Sequence, residues 1–330
     1  MDSRPTVAVI YNTEDFGGDV VVRGMVDCAT EARDTMTALG HRVGMFSVDV
    51  GVGRFVQALE AFQPDVALNL CEGFRAWSAG HYCVAGLLEL LAIPYTGSGP
   101  IALGIALDKP LSKEIFIARE IPTPRFAVYR EMPARLPPMT FPLILKLAGE
   151  DASIGLSADN VVSDEASALV RLQQLLREYE KPVLVEEFID GREFTVALFD
   201  GRPLTVEEIE FHVEPRIVSF RAKWEAGSTE NQGTTAVFAP VMTQEQREAM
   251  TMLAVRVWEA LGMRDYARVD FRMDACGRIY VLEANPNPDI SRGSGYRQSL
   301  DAAHISYQNF ITRLLGNALK RTEGTAQRSL

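Results

Sequence analysis

Two short segments near the end of the chain constrain its fold more than anything before them. Residues 266–273 and 279–285 alternate apolar with polar or charged residues, and Asp274-Ala275-Cys276-Gly277-Arg278 between them is turn-forming, so the pair reads as an antiparallel hairpin. If a four-residue loop pairs Asp274 with Ile279, Asp270 stands opposite Glu283 and Arg268 opposite Asn285. All four then share one face, and Val269, Phe271 and Met273 turn to a core. Carboxylates directly opposed on a sheet repel. A cation between them removes the repulsion, and carboxylate and amide oxygens form a hard donor set that suits Mg2+ or Mn2+ and not zinc. A solvated face balanced by Arg268 and Arg272 would give the same pattern, and another loop length would misalign the pair.

The rest of the chain supplies the frame. Short apolar runs at 6–11, 43–48 and 65–70 alternate with helical patterns near 22–39, 54–62 and 81–91, which predicts a parallel, doubly wound sheet closing near Asp108. Beyond it the pattern changes. Strands are expected at 142–147, near 156–162, and at 183–188, 193–199 and 204–211, the last three antiparallel, with a helix near 164–179. Residues 212–236 have no clear period, and so long a loop in a compact domain is usually functional or disordered. Helices near 244–261 and 301–320 complete the chain, and 322–330 reads as a frayed tail. A length of 330 residues suits about two domains. The net charge of −11, with no dense Lys/Arg run, argues against nucleic-acid and anionic-membrane partners. Four cysteines without CxxC spacing, and no long apolar stretch, lead to the expectation of a reduced, cytoplasmic protein.

Three further features carry chemistry. Lys146 ends an apolar strand before the loop Gly149–Gly155, an arrangement able to hold a phosphate chain, although GxxxxGK[ST] is absent and an ordinary hairpin loop reads the same. Glu186-Glu187-Phe188-Ile189 closes one strand and Gly191-Arg192-Glu193 opens another, which can present backbone groups to a purine and a carboxylate to a ribose, or simply form an acidic hairpin. The four histidines show neither HExxH spacing nor a Ser/His/Asp arrangement. Trp224 stands out among the tryptophans because it lies in the long polar loop.

In order and spacing these pieces resemble the D-alanine–D-alanine ligase family of the ATP-grasp superfamily. The likeness is densest at Ile93–Lys113, Pro142–Gly155, Val183–Ala197 and Tyr266–Ser294. It implies an α/β fold with an N-terminal Rossmann-like parallel-sheet lobe (1–108), followed by a two-lobed ATP-grasp module. The central lobe would span 109–193, and the C-terminal lobe, with the metal site and a lid over 212–236, would span 194–321. It also implies site roles. Lys109 and Lys146 would bind the ATP phosphates, with Ser153 and its loop folding over them. Glu186, Glu187 and the backbone through Ile189 would line the adenine, and Glu193 would take the ribose. Asp270, Glu283 and Asn285 would hold two Mg2+ ions. Arg268 would stabilise the oxyanion, Lys223 would reach the γ-phosphate, and Ser294 and Gly295 would meet the second substrate. The substrates would be small and amino-acid-like, and the chain a homodimer.

The departures fall on one subsite. Family members hold the amine of the first D-alanine with a Glu in the first Gly-rich turn, a Ser in the phosphate loop and a Tyr in the lid. Here the turn reads Asn12-Thr13-Glu14-Asp15-Phe16-Gly17-Gly18, with Glu14 a loose match, the loop serine is Ala152 and the lid tyrosine is Trp224. Asn69-Leu70-Cys71-Glu72-Gly73 replaces the family's His-Gly, and Asp289 replaces a glycine. The expected activity is therefore an ADP-forming carboxylate–amine ligase whose donor is not D-alanine. Synthesis of D-alanyl-D-alanine, with Glu14 or Glu72 anchoring the amine, is the alternative. A non-catalytic ATP-binding regulator and a phosphotransferase are weaker ones.

Overall fold

The computed structural model describes residues 4–14, 19–75, 77–150 and 153–326. The first sheet is parallel, with β1 (Val7–Tyr11) between β2 (Val43–Ser47) and β3 (Val66–Asn69). The fully apolar runs in β1 and β3 are buried on both faces, as a parallel sheet covered by helices requires. Those helices are α1 (Asp19–Ala38), α2 (Val52–Phe62) and α3 (Gly80–Leu90). Two helices not foreseen in the sequence follow, α4 (Pro100–Leu107) and α5 (Lys109–Ala118). Asp108 separates them: its carboxylate caps α5 by accepting from the Leu111 N–H at 3.0 Å.

The second sheet has the order β4-β7-β5-β6, from β4 (Phe126–Tyr129), β5 (Leu143–Leu147), β6 (Val161–Val162) and β7 (Val183–Glu187), with α6 (Glu165–Tyr179) against it. The strand expected near 156–162 is a correction: residues 158–160 form a 3-10 turn, and only Val161–Val162 pair. Asn160 enforces the turn, because its buried side chain donates to Leu145 O and Gly155 O.

The third sheet has the order β10-β9-β8-β11-β12: β8 (Gly191–Phe199), β9 (Arg202–Phe211), β10 (Thr234–Phe238), β11 (Tyr266–Asp274) and β12 (Ile279–Asn285). Residues 212–236 are not a structureless loop. They contain α7 (Phe220–Trp224), α8 (Thr229–Gln232) and the start of β10, with Ser219 and Ser228 as N-caps. α9 (Gln244–Leu261) starts on a Thr243/Gln246 capping box and ends at Gly262 in the left-handed region. The expected single last helix is two, α10 (Gly295–Ala302) and α11 (Tyr307–Ala326), because His304 turns left-handed between them. No helix among the described residues is long and apolar enough to cross a membrane.

The key hairpin reaches the expected pairing by a different route. Asp274 N–H bonds Arg278 O, so the loop is one residue shorter than expected and Met273 pairs with Ile279. A bulge at Leu282 absorbs the shift and restores Asp270 opposite Glu283 and Arg268 opposite Asn285.

Packing ties these layers unequally. The second sheet and α6 share a cluster of their own, including Leu143, Leu145, Leu172 and Val185. The third sheet packs on α9 and α5 through residues such as Phe271, Val257 and Phe116. The first sheet is completed from the far end of the chain: Val7, Val9 and Leu68 share a core with Tyr296 and with Phe310, Ile311 and Leu314 of α11.

Candidate active site

A cavity of about 300 Å3 lies between the second and third sheets. Its floor is a set of cross-strand rows on the third sheet. One row runs Glu283, Asp270, Thr195, Glu207 from β12 through β11 and β8 to β9. Beside it Arg268 lies opposite Asn285, and Arg272 opposite Glu193. Asp270 accepts from Arg268 at 2.7 and 2.8 Å, and Glu193 pairs with Arg272 at 2.7 Å. Burial opposes ionisation of the Glu283 carboxyl, yet Lys109, Lys146, Arg268 and Lys223 outweigh it and hold the group down at about 2. Burial likewise opposes the Arg268 charge, and Asp270 outweighs it, so the guanidinium stays charged.

The opposite wall carries lysines. Glu186, 1 % exposed, forms ion pairs with Lys113 and Lys146 at 2.7 Å each. Burial raises its carboxyl, and the two ammoniums more than reverse that. Removing one partner of such a buried set costs about 3–5 kcal/mol. The Glu186 carboxylate thus holds two lysines, and it lines the cavity together with Glu187 and Ile189. Lys109 Nζ donates to Glu150 O at 2.5 Å and lies 3.5 Å from Glu283. The roof is made by two loops clasped together. Ser153 Oγ donates to Val218 O at 2.9 Å, and Phe220 N–H to Leu156 O at 3.0 Å. Lys223 in α7 also lines the cavity, its ammonium 5.0 Å from the Trp224 ring centre.

A second cavity, about 340 Å3, adjoins the first, since Lys223, Arg268, Asn285 and Gly295 line both. Trp224, Glu72, Asp289 and Ser294 face it, together with buried Cys28 and His81. Ser294 caps α10, accepting from Arg297 N–H at 3.3 Å while its hydroxyl donates to Asp289 O at 2.8 Å. The Asp289 carboxylate accepts from Ser291 N–H and Oγ at 2.8 and 2.9 Å. Glu14 lines neither cavity; its N–H is held by Asp49 at 3.0 Å. Asp15–Gly18 and Ala152 lie outside the described residues.

Among the described residues no three His, Cys, Asp or Glu side chains gather closely enough to hold a metal ion unaided. Asp270 and Glu283 with the Asn285 amide present hard oxygen donors of the kind that would suit Mg2+, which is held by one or two carboxylates while water and phosphate oxygens complete its shell. Sequence reasoning missed Lys113, Glu207 and His81. Lys113 was visible as the residue one helical turn after Lys109 on α5. Glu207 was obscured by Glu208 beside it, which faces the other way and pairs with Arg192 at 2.6 Å.

The family model for the D-Ala–D-Ala ligase C-terminus matches residues 123–316. The chain is 31% identical over 300 residues to the uncharacterized protein y4sG of Sinorhizobium fredii, covering 86% of this chain and 85% of that one. It is 32% identical over 291 residues to a D-alanine–D-alanine ligase of Gloeobacter violaceus, covering 86% and 91%. A crystal structure of D-alanine–D-alanine ligase from Bacillus anthracis, complexed with ATP, shares the fold with a TM-score of 0.78 at 23% identity, over 98% of this chain and 100% of that one. With more than half its length matched by the family model, and with relatives of this identity along most of its length, the chain belongs to the D-alanine–D-alanine ligase family of ATP-dependent, ADP-forming ligases.

Proposed function

We propose that this protein joins a carboxylic acid to an amine at the expense of ATP, with a donor other than D-alanine. The donor carboxylate attacks the γ-phosphorus, giving an acyl phosphate and ADP. The amine then attacks the acyl carbon, and phosphate leaves. In this reading the first cavity takes ATP. Lys109, Lys146 and Lys223 meet the phosphates and the Ser153 loop covers them; Glu187 and the backbone through Ile189 meet the adenine, Glu193 meets the ribose, and Glu186 keeps Lys146 in place. Asp270, Glu283 and Asn285 would hold Mg2+, one or two ions, which neutralises charge developing on the phosphates. Arg268 faces the oxyanion of the tetrahedral intermediate. The clasp between Ser153 and Val218 keeps water from the acyl phosphate. Domain limits of 1–108, 109–193 and 194–321 belong to the same proposal, with β8, which begins at Gly191, kept whole in the third sheet.

One observation carries the donor assignment. The first cavity keeps every charged residue the chemistry uses, whereas three of the positions that depart from the family pattern, Trp224, Glu72 and Asp289, face the second cavity. Trp224 in place of tyrosine removes a hydroxyl and adds bulk, which favours a donor with another head group. Synthesis of D-alanyl-D-alanine is the second reading, favoured by the roughly one-third identity to ligases of that name. ADP release measured over D- and L-amino acids, β-amino acids and small hydroxy acids separates the two. Turnover with D-alanine alone at ordinary enzymatic rates refutes the first reading, and sedimentation of the purified chain tests the homodimer the family likeness implies.

A further inference from the structure

Glu207 is a carboxylate of the first cavity to which the roles above assign nothing. It is 4 % exposed and ends the row Glu283, Asp270, Thr195, Glu207. At about 4.8 Å per strand it lies roughly 10 Å from Asp270 along that row, too far to share an ion with it. Thr195 on β8 donates its hydroxyl to Glu207 Oε2 at 3.2 Å, and Phe238 on β10 is its other cross-strand neighbour. On the side of α10, a Cβ at Gly295 would stand 3.1 and 3.2 Å from the two carboxylate oxygens, so the carboxylate rests against the α-carbon of the residue where the two cavities meet. Arg268 on β11 supplies positive charge to it, but two of its N–H groups are committed to Asp270. Among the described residues no Lys or Arg forms an ion pair with Glu207.

A buried carboxylate without a cation is costly, and burial raises the Glu207 carboxyl above its ordinary range, outweighing Arg268. An incoming ammonium removes that cost. The second step of the proposed reaction brings one: an aliphatic amine arrives protonated near neutral pH and must shed a proton before its lone pair can attack. We infer that Glu207 binds the ammonium of the acceptor amine at the junction of the two cavities and takes its proton. The balance is complete. The ammonium gives one proton to the Glu207 carboxylate, nitrogen forms the C–N bond as the acyl C–O bond to phosphate breaks, and the departing phosphate takes the second nitrogen proton. Small acceptors fit best, because the carboxylate already abuts Gly295.

The inference rests on the ligase reading, and hydroxylamine separates the two. Hydroxylamine is uncharged near neutral pH and traps an acyl phosphate without first losing a proton. Wild type, Glu207→Gln and Glu207→Asp are given Mg-ATP and, as donors, D-alanine, D-serine, L-alanine, β-alanine and D-lactate in turn. Each is tested with hydroxylamine and with glycine, D-alanine or β-alanine as acceptor, and products are read by mass spectrometry. With the donor that wild type uses best, Glu207→Gln is expected to keep hydroxamate formation within about twofold and to lose amide formation by about 10²–10⁴-fold. Glu207→Asp should fall between, and carries the test if the Gln variant does not fold. Equal loss with both nucleophiles, as a role in positioning Arg268 would give, overturns the inference, and so does unchanged amide formation. Wild type that forms neither hydroxamate nor amide with any donor refutes the ligase reading, and this inference with it.

Discussion

The two adjoining cavities are built by different means. The first is set mainly by strand register: most of its charged residues come from β5, β7, β8, β9, β11 and β12 and answer one another across the cleft or along a sheet row, with Lys109 added from the start of α5 and Lys223 from α7. The second is assembled from the ends of elements, with Glu72 after β3, Trp224 at the end of α7, and Asp289 and Ser294 between β12 and α10. Register resists single substitutions, because moving one residue moves every partner in its row. Element ends accept new side chains without disturbing a core. A chain built this way can hold its phosphate chemistry fixed while its substrate changes.

That comparison predicts two kinds of mutant. First-cavity changes should slow every substrate alike, and second-cavity changes should alter the ratio between substrates. The largest effect is expected at Glu283. Glu283→Gln preserves shape but removes the charge opposite Lys109, and turnover should fall about 10²–10³-fold with every donor while the fold survives. Undiminished turnover in the presence of Mg2+ would remove Glu283 from the chemistry. Next is Lys113→Met, which leaves Glu186 with one cation. About 3 kcal/mol of stability should disappear in urea titrations, although Lys113 does not line the cavity. Lys146→Ala should weaken ATP binding by about 10- to 100-fold, measured by calorimetry, as expected for one lost charge-assisted bond. Trp224→Tyr should shift the ratio of kcat/KM between D-alanine and the preferred donor by about tenfold, and an equal change for both would erase the distinction between the cavities. The smallest effect is stability in Asp289→Gly. Its carboxylate is exposed, so the melting curve should move by less than about 0.5 kcal/mol while acceptor preference changes.

How far the sequence could be read follows the same division. The Asp270–Glu283 pairing was legible because strand alternation fixes faces, and it survived a wrong loop length only because the Leu282 bulge compensated. Lys109, Lys146 and Arg268 were legible through the family likeness, and the structure brings all three to one cavity. Lys113 and Glu186 were not legible as a pair, since 73 residues separate partners that meet only in the folded core. Glu207 was not, because two adjacent glutamates in a strand face opposite ways and pattern alone does not say which is inside. His81 came to the second cavity on a mostly apolar helix that gave no sign of it.

The packing of α11 has a consequence for the order in which the chain can be finished. β1 leaves the ribosome well before α11, and Val7 and Val9 meet Phe310, Ile311 and Leu314 only after some three hundred further residues have been joined. At roughly 5–20 residues per second, that interval is on the order of 15 to 60 seconds. Throughout it one apolar side of the first sheet lacks its cover, so a segment made early is sealed late, and a break between Ala303 and Ser306 would leave it open to self-association.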